Sequence, residues 1–389
     1  MSRVPPSYAP PWETPELVLL RETAHEFFTR EGMPQRAKWE AQQHVDRDFW
    51  LRAGEVGLLC PMVPEAYGGP GGNFLHHVVI TEAQGWTIDK GWGNSVHSGI
   101  VADYVLGYGT EEQKQRWLPR MVTGETVAAI AMSEPAAGSD LKAIRTRAVR
   151  DGSSYVLDGA KTFITNGSTA DLVIVAAKTD PAAGARGISL LLVDANTPGF
   201  RRGPVLDKIG QHAADTSELY FDSVRVPAEN LLGAEGGGFR MLMAQLPQER
   251  LFIGLTGIVA AEVALQHTIE YTTQRQAFGG TLFDLQNTRF ELAECATLAR
   301  VGRTFFDDCV QRHAAGTLDA ATASMAKYWL TDVQCQVIDR CLQLHGGYGY
   351  MREYPIARMY ADARAQRIYG GANEVMKELI ARSLEKGRA

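Results

Sequence analysis

The apolar residues of this chain change rhythm twice, and that change limits the fold more than any other feature of the sequence. Early on they recur at helical spacing: Leu17, Leu19, Leu20, Ala24, Phe27 and Phe28, then Phe49, Leu51, Val56 and Leu59. Gly-Pro punctuation follows in PEAYGGPGGN, Pro64 to Asn73. Gly109-Thr110-Glu111-Glu112 then reads as a helix start, with Thr110 as cap and acids in the first turn. From Thr126 the pattern shortens to strand length. TVAAIAMSE, DLVIVAAKT from Asp171 and GISLLLVDA from Gly187 read as buried strands, and SELYFDSVRVP from Ser217 alternates like a half-buried one. Tyr155 to Ile164 reads as a hairpin with Asp158-Gly159 at its tip. From about residue 240 the helical period returns, with Leu251–Phe278 and Asp319–His345 as long helices of an antiparallel bundle. The expected class is therefore α+β: a helical domain over 11–125, a central antiparallel barrel or sandwich over 126–239, and a helical bundle over 240–389.

Composition removes several functions. With 389 residues and 45% apolar content, two or three domains with real cores are affordable. A net charge of −6 argues against a nucleic-acid partner, because phosphate binding needs a basic surface. The five cysteines are scattered, without C-x-x-C, which fits buried thiols in a reducing compartment. No run approaches the roughly 20 unbroken apolar residues of a membrane span. The start, MSRVPPSYAPPWETPE, has no apolar h-region and reads as a disordered or draped tail, so a cytoplasmic protein is expected.

No metal-ligand spacing, P-loop, G-x-S-x-G or Rossmann glycine pattern appears, so no metal site is expected. Four segments stand out. Ala131-Met132-Ser133-Glu134-Pro135-Ala136-Ala137-Gly138-Ser139-Asp140 follows a strand and offers a small-residue turn, either a plain β-turn or a cradle for a flat ring or a phosphate. Gln343-Leu344-His345-Gly346-Gly347-Tyr348-Gly349-Tyr350 ends a helix, where glycines ordinarily cap. Ile368-Tyr369-Gly370-Gly371-Ala372-Asn373-Glu374 precedes a helical run, as a cap or as amides facing a ligand. In Leu246-Pro247-Gln248-Glu249-Arg250 the glutamate reads locally as a solvated partner of a helix N-terminus.

In this order and register, AMSEPAAGSD and QLHGGYGYMREYPIARMYADAR resemble the two signatures of the acyl-CoA dehydrogenase family. LPQERL, ATASMAKYW (Ala321 to Trp329) and IYGGANEVMKELIAR look most like its long-chain branch. The resemblance implies a helical domain, a central β domain and a C-terminal four-helix bundle, assembled as a homotetramer, a dimer of dimers. It implies FAD between the β domain and the bundle, an acyl-CoA substrate and an electron-transfer flavoprotein as acceptor. Carried over by motif, Ala131, Met132, Ser133, Gly138, Ser139, Phe163, Ile164 and Thr165 would flank the flavin, with Thr165 bonding N5 and Ser139 also touching the acyl-CoA. Arg275, Phe278, Gln286, Gln343, Leu344, His345, Gly346 and Gly347 would meet the FAD of another subunit, and Ala372, Asn373 and Glu374 would lie along the cofactor. Arg240, Pro247, Gln248, Arg250, Gly370 and Gly371 would border the substrate, with Arg240 meeting a polar acyl group or a CoA phosphate, or facing solvent.

The reaction so implied removes an α-proton while a hydride leaves the β-carbon for flavin N5. It therefore needs a carboxylate base desolvated enough for its affinity for a proton to rise. Many members carry that base in an I-Y-E-G-T motif; here the motif reads Ile368-Tyr369-Gly370-Gly371-Ala372, with glycine in its place. The long-chain and isovaleryl branches take the base from the helix after the β domain, and the matching residue is Glu249. Gly370 would still offer its N–H to the thioester oxygen. Phe163 and Ala372 depart from the tryptophan and threonine of many relatives, and Pro247 would kink the base helix and widen the acyl tunnel. Two rival readings share the resemblance: a flavin oxidase using oxygen, and a catalytically silent flavin-bearing binding protein.

Overall fold

A computed structural model describes residues 8–87 and 91–386. The N-terminal helical part holds α1 (Pro15–Phe27), α2 (Arg36–Gln42), α3 (Arg47–Glu55), α4 (Phe74–Trp86), α5 (Asn94–Val96), α6 (Ala102–Tyr108) and α7 (Glu111–Val122). Thr110 caps α7 as the sequence suggests: its hydroxyl accepts from Gln113 N, and the Gln113 side chain returns to Thr110 N. A π-turn, His97–Val101, leads into α6, where it turns two polar residues, Asp103 and Tyr104, into the protein. Leu19 and Val56, placed by rhythm on the apolar faces, are exposed.

The central domain is one connected sheet: β1 (Ala128–Ala131), β2 (Arg147–Asp151), β3 (Ser154–Ile164), β4 (Leu172–Lys178), β5 (Ile188–Asp194), β6 (Phe200–Val205), β7 (Ser217–Pro227) and β8 (Leu231–Leu232). Its path is β6-β7-β3-β2-β4-β5-β8, with β1 beside β4. Most pairs are antiparallel, but β1 and β2 both run parallel to β4. Every residue of β4 is buried, because its alternate side chains enter two different cores. Leu172, Ile174 and Ala176 pack with the N-terminal helices, while Val173, Val175 and Ala177 pack with Leu219, Phe221 and Val224 inside the sheet's own fold.

The expected hairpin tip at Asp158-Gly159 is wrong. The turn is Gly152-Ser153, closed by the Asp151–Ser154 pair, and Asp158-Gly159 is a bulge within β3. A Cβ on Gly159 would lie 2.4 Å from Thr146 Oγ1, so close approach of another strand, not a turn, explains that glycine.

The third part contains α8 (Gly238–Gln274), the ribbon β9 (Gln276–Ala277) and β10 (Gly280–Thr281), then α9 (Gln286–Ala314), α10 (Ala320–His345), α11 (Pro355–Ala363) and α12 (Asn373–Lys386). One expectation fails at α8. It begins at Gly238 rather than near Leu251 and continues through Pro247, so Glu249 sits three turns inside the helix and not at its head. By length and composition alone it would pass for a membrane span, but 72% of its most apolar stretch is buried within the protein, as in the core helix of a bundle. Leu255, Ile258, Val259, Val263 and Leu265 pack there against α9, α10 and α4. The first seven residues of the N-terminal tail lie outside the described residues. From Tyr8 onward the tail is draped on α9: Trp12 Nε1 donates to Asp307 Oδ1 at 3.1 Å, and the Tyr8 hydroxyl donates to the other oxygen.

Candidate active site

Glu249 is the starting point, because it is 5% exposed and has no ion pair among the described residues, a costly state for a carboxylate. It lies on the side of α8 that faces α6, where the Tyr104 hydroxyl donates to its Oε1 at 3.1 Å. Burial pushes its pKa up to about 7, opposed by the Tyr104 bond and the Arg250 charge. The next residue, Arg250, is equally buried and turns toward α10, donating from Nη1 to Ser324 Oγ at 3.3 Å, while its Nε finds no partner. Gln248 turns the other way, donating to Gly99 O at 3.2 Å and to Asp103 Oδ2. Arg240 is exposed, and Pro247 is half-buried.

Gly370 and Gly371 form a turn with φ of 63° and 91°, left-handed values that favour glycine. A Cβ on Gly370 would fall 2.1 Å from Ile253 Cδ1. Ile253 stands one helical turn beyond Glu249, so the glycine turn lies against the same stretch of α8 as the carboxylate. Lys327, fully buried on α10, fixes that turn by donating to Gly371 O at 2.7 Å and Asn373 Oδ1 at 2.8 Å. Asn373 in turn donates to Thr331 Oγ1 at 3.0 Å and Asp332 Oδ1 at 3.0 Å. Burial draws Lys327 down to about 8, with the Arg250 charge adding to the fall. Ala372 is half-buried beside these, and Glu374 points outward. Gly370→Ala is expected to destabilise the protein by about 1–3 kcal/mol, through left-handed strain and the displaced Ile253; thermal denaturation measures it.

The β domain brings two distant segments together. Lys161, with no exposed surface, donates to Met132 O at 3.0 Å and Glu134 Oε1 at 2.8 Å. Glu134 also accepts from Arg145 N at 2.6 Å and Thr146 N at 3.0 Å, and Thr162 N donates to Ser133 O at 3.0 Å. The Ala131–Ser139 turn is thus fastened to Phe163-Ile164-Thr165. Phe163 is 69% exposed at a φ of 59°, an uncommon combination of bulk, exposure and left-handed backbone. Ile164 is buried, Thr165 half-buried, and Gly138 and Ser139 are exposed.

A third group lies at the far end of the bundle. Arg275 sits over the Tyr348 ring, 5.3 Å from its centroid, and His345 stacks on Tyr271 at 4.3 Å. Gln286, Gln343, Gly346 and Gly347 are exposed nearby in the chain, Leu344 is half-buried, and Phe278 is 93% exposed. Helical rise puts Arg275 about 40 Å from Glu249, farther than one flavin dinucleotide reaches.

Sequence reasoning missed Asp103, Tyr104, Lys161 and Lys327. Lys327 lies inside the noticed ATASMAKYW run, whereas nothing local marks Tyr104.

A buried carboxylate and a left-handed glycine turn on one stretch of α8, and a fastened turn with an exposed aromatic at the end of β3, are the two candidate parts of an enzyme site. Three family descriptions match along the chain: acyl-CoA dehydrogenase N-terminal domain over residues 14–125, middle domain over 129–224 and C-terminal domain over 236–385. The long-chain specific acyl-CoA dehydrogenase of Rattus norvegicus mitochondria is 49% identical over 94% of this chain and 86% of its own. The crystal structure of acyl-CoA dehydrogenase from Geobacillus kaustophilus superposes with a TM-score of 0.95 at 48% identity, covering 97% of this chain and 100% of that one. A chain from the structure described as electron transferring flavoprotein of Acidaminococcus fermentans gives 0.92 at 35%, covering 96% and 98%. The protein belongs to the acyl-CoA dehydrogenase family, whose members are FAD-dependent oxidoreductases.

Proposed function

We propose that this enzyme dehydrogenates an acyl-CoA thioester to the trans-2-enoyl-CoA, with Glu249 removing the α-proton. The observation that carries this reading is a carboxylate buried with no ion pair among the described residues, one helical turn from Ile253, against which the Gly370 turn packs. Burial makes the carboxylate a stronger base than one in water, and the Tyr104 hydroxyl holds one oxygen and leaves the other to take the proton. Gly370 N–H would donate to the thioester oxygen as negative charge grows there, and Arg250 and Lys327 place positive charge behind that turn. Ala131–Ser133, Gly138, Ser139, Phe163–Thr165 and Ala372–Glu374 would hold FAD; the exposed Phe163 and the fastened turn beside it fit a flat ring. When bound, FAD supplies the two-electron acceptor for the β-hydride.

Arg275, Phe278, Gln286 and Gln343–Gly347 are too distant to serve this protomer's flavin, so they would meet that of a neighbour in a homotetramer. An electron-transfer flavoprotein would take the electrons onward.

Anaerobic titration with butyryl-, isovaleryl- and palmitoyl-CoA tests the reading. At least one thioester should bleach the flavin; no bleaching with any of them would favour a silent binding protein, and oxygen consumption during turnover an oxidase. The reduction rate should also follow ionisation of Glu249. It should climb as pH rises through about 7 and fall about tenfold per unit well below it. A rate flat from pH 8 down to pH 5.5 is the contrary result.

A further inference from the structure

Two consecutive residues of α6 pair with two consecutive residues of α8. Asp103 Oδ2 accepts from Gln248 Nε2, and Tyr104 donates to Glu249 Oε1 at 3.1 Å. Gln248 is itself pinned, giving a second bond to Gly99 O at 3.2 Å and accepting from His313 Nε2 at 2.9 Å. This ladder brings a second carboxylate close to the base. Asp103 is 8% exposed, and among the described residues no basic side chain is bonded to it and its Oδ1 has no hydrogen-bond partner. A buried aspartate so poorly compensated is costly as an anion, and holding Gln248 does not require one, since an amide oxygen would accept the same bond.

We propose that Asp103 is a positioning residue for Glu249: the two carboxylates occupy one buried pocket, ionise one at a time, and so set the pH at which the base is free to act. This rests on Glu249 being the base. The groups facing the pair are Tyr104 and Tyr108 from α6, Gln248 and Arg250 from α8, and His313 from α9; Lys327 of α10 acts at one remove, through Arg250. Among the described residues Arg250 is the fixed positive charge acting on Glu249, and it turns away toward Ser324. Burial raises both acids to about 7, and the Glu249 charge adds to the rise at Asp103. Two like acids close enough to feel each other's charge lose their protons in separate steps that belong to the pair. Each single ionisation leaves Glu249 charged in only part of the molecules, and full activity waits for the second.

The two rungs act in opposite directions. Asp103→Asn keeps the shape and the bond from Gln248 but removes the competing acid. Its rate of flavin reduction by palmitoyl-CoA (or the fastest of the thioesters above) should rise with pH in one steep ionisation, shifted down by about half a pH unit or more. KM should stay within about twofold, because the change is in the protonation of the base. Tyr104→Phe removes the donor that stabilises the carboxylate, so its curve should move up in pH. A readout independent of turnover is the infrared band of buried protonated carboxyl groups: wild type should lose it in two steps, and Asp103→Asn in one. A pH curve and infrared titration of Asp103→Asn that overlay wild type sink the proposal. If that variant does not fold, Tyr104→Phe decides, and an unmoved or lowered midpoint overturns the ladder. A fast Glu249→Gln enzyme would instead reject the base assignment and leave the ladder as structure alone, so the two failures are distinguishable.

Discussion

Glu249→Gln is expected to fold, to bind FAD and to reduce it from acyl-CoA about 10³-fold more slowly than wild type, in the range of a lost general base. The substitution conserves volume and keeps an oxygen to accept from Tyr104, so positioning survives and only the proton acceptor goes. Stopped-flow reduction at pH 8 measures it; a variant within tenfold of wild type would refute the role. The same change should raise stability at alkaline pH. The folded-state pKa of Glu249 is elevated, to about 7, so the native protein favours the protonated form. Its favourable contribution is complete below the ordinary glutamate range and is lost as pH rises through about 7. Removing the ionisable group removes that loss, by an amount on the order of 1–3 kcal/mol. The variant should therefore melt higher than wild type at pH 8, with the difference vanishing toward pH 4.5.

Lys161→Met should have the largest structural effect. Lys161 has no exposed surface, and its ammonium joins Glu134, Met132 O and, through that turn, the strand leading to Phe163. Deleting one member of a buried pair strands the other charge, and such losses run to about 3–5 kcal/mol. Glu134 keeps its two backbone donors, Arg145 N and Thr146 N, but loses its ion pair with Lys161. The Ala131–Ser139 turn and Phe163 should then lose their mutual registration. The expected outcome is a lower unfolding midpoint together with weaker FAD retention on gel filtration. A Lys161→Met/Glu134→Gln double variant should recover part of the stability, because the stranded charge is gone. Unchanged stability in the single variant would show that the pair is incidental.

Much of the architecture was legible because its signals are local. SELYFDSVRVP forms a strand over the same residues, Ser217–Pro227, and Asp319 caps α10 by accepting from Ala321 N and Thr322 N. Such features depend on alternation and on one side chain reaching its own backbone. The failures have physical reasons too. Asp-Gly is a good two-residue turn, but Gly159 was needed where Thr146 crosses β3, a contact invisible along the chain. The start of α8 was placed too late because the dense apolar rhythm begins at Leu251, whereas the helix starts at Gly238 and runs through Pro247.

The candidate site divides the same way. The exchange of glutamate for glycine at Gly370 and the presence of Glu249 could be read from the chain by resemblance. That a side chain at position 370 would collide with Ile253 could not. Nor could the neighbours of the candidate base and of the glycine turn: Tyr104, Asp103 and Lys327 lie 145, 145 and 44 residues from the groups they bond. The sequence by itself determined which acid was available, where strands and helices alternate, and which family the motifs resemble. Only the tertiary structure decided how far that acid is removed from water and which groups share its pocket. Proton affinity depends on burial and on charges a few ångströms away, and those distances exist only once α6, α8 and α10 have packed together.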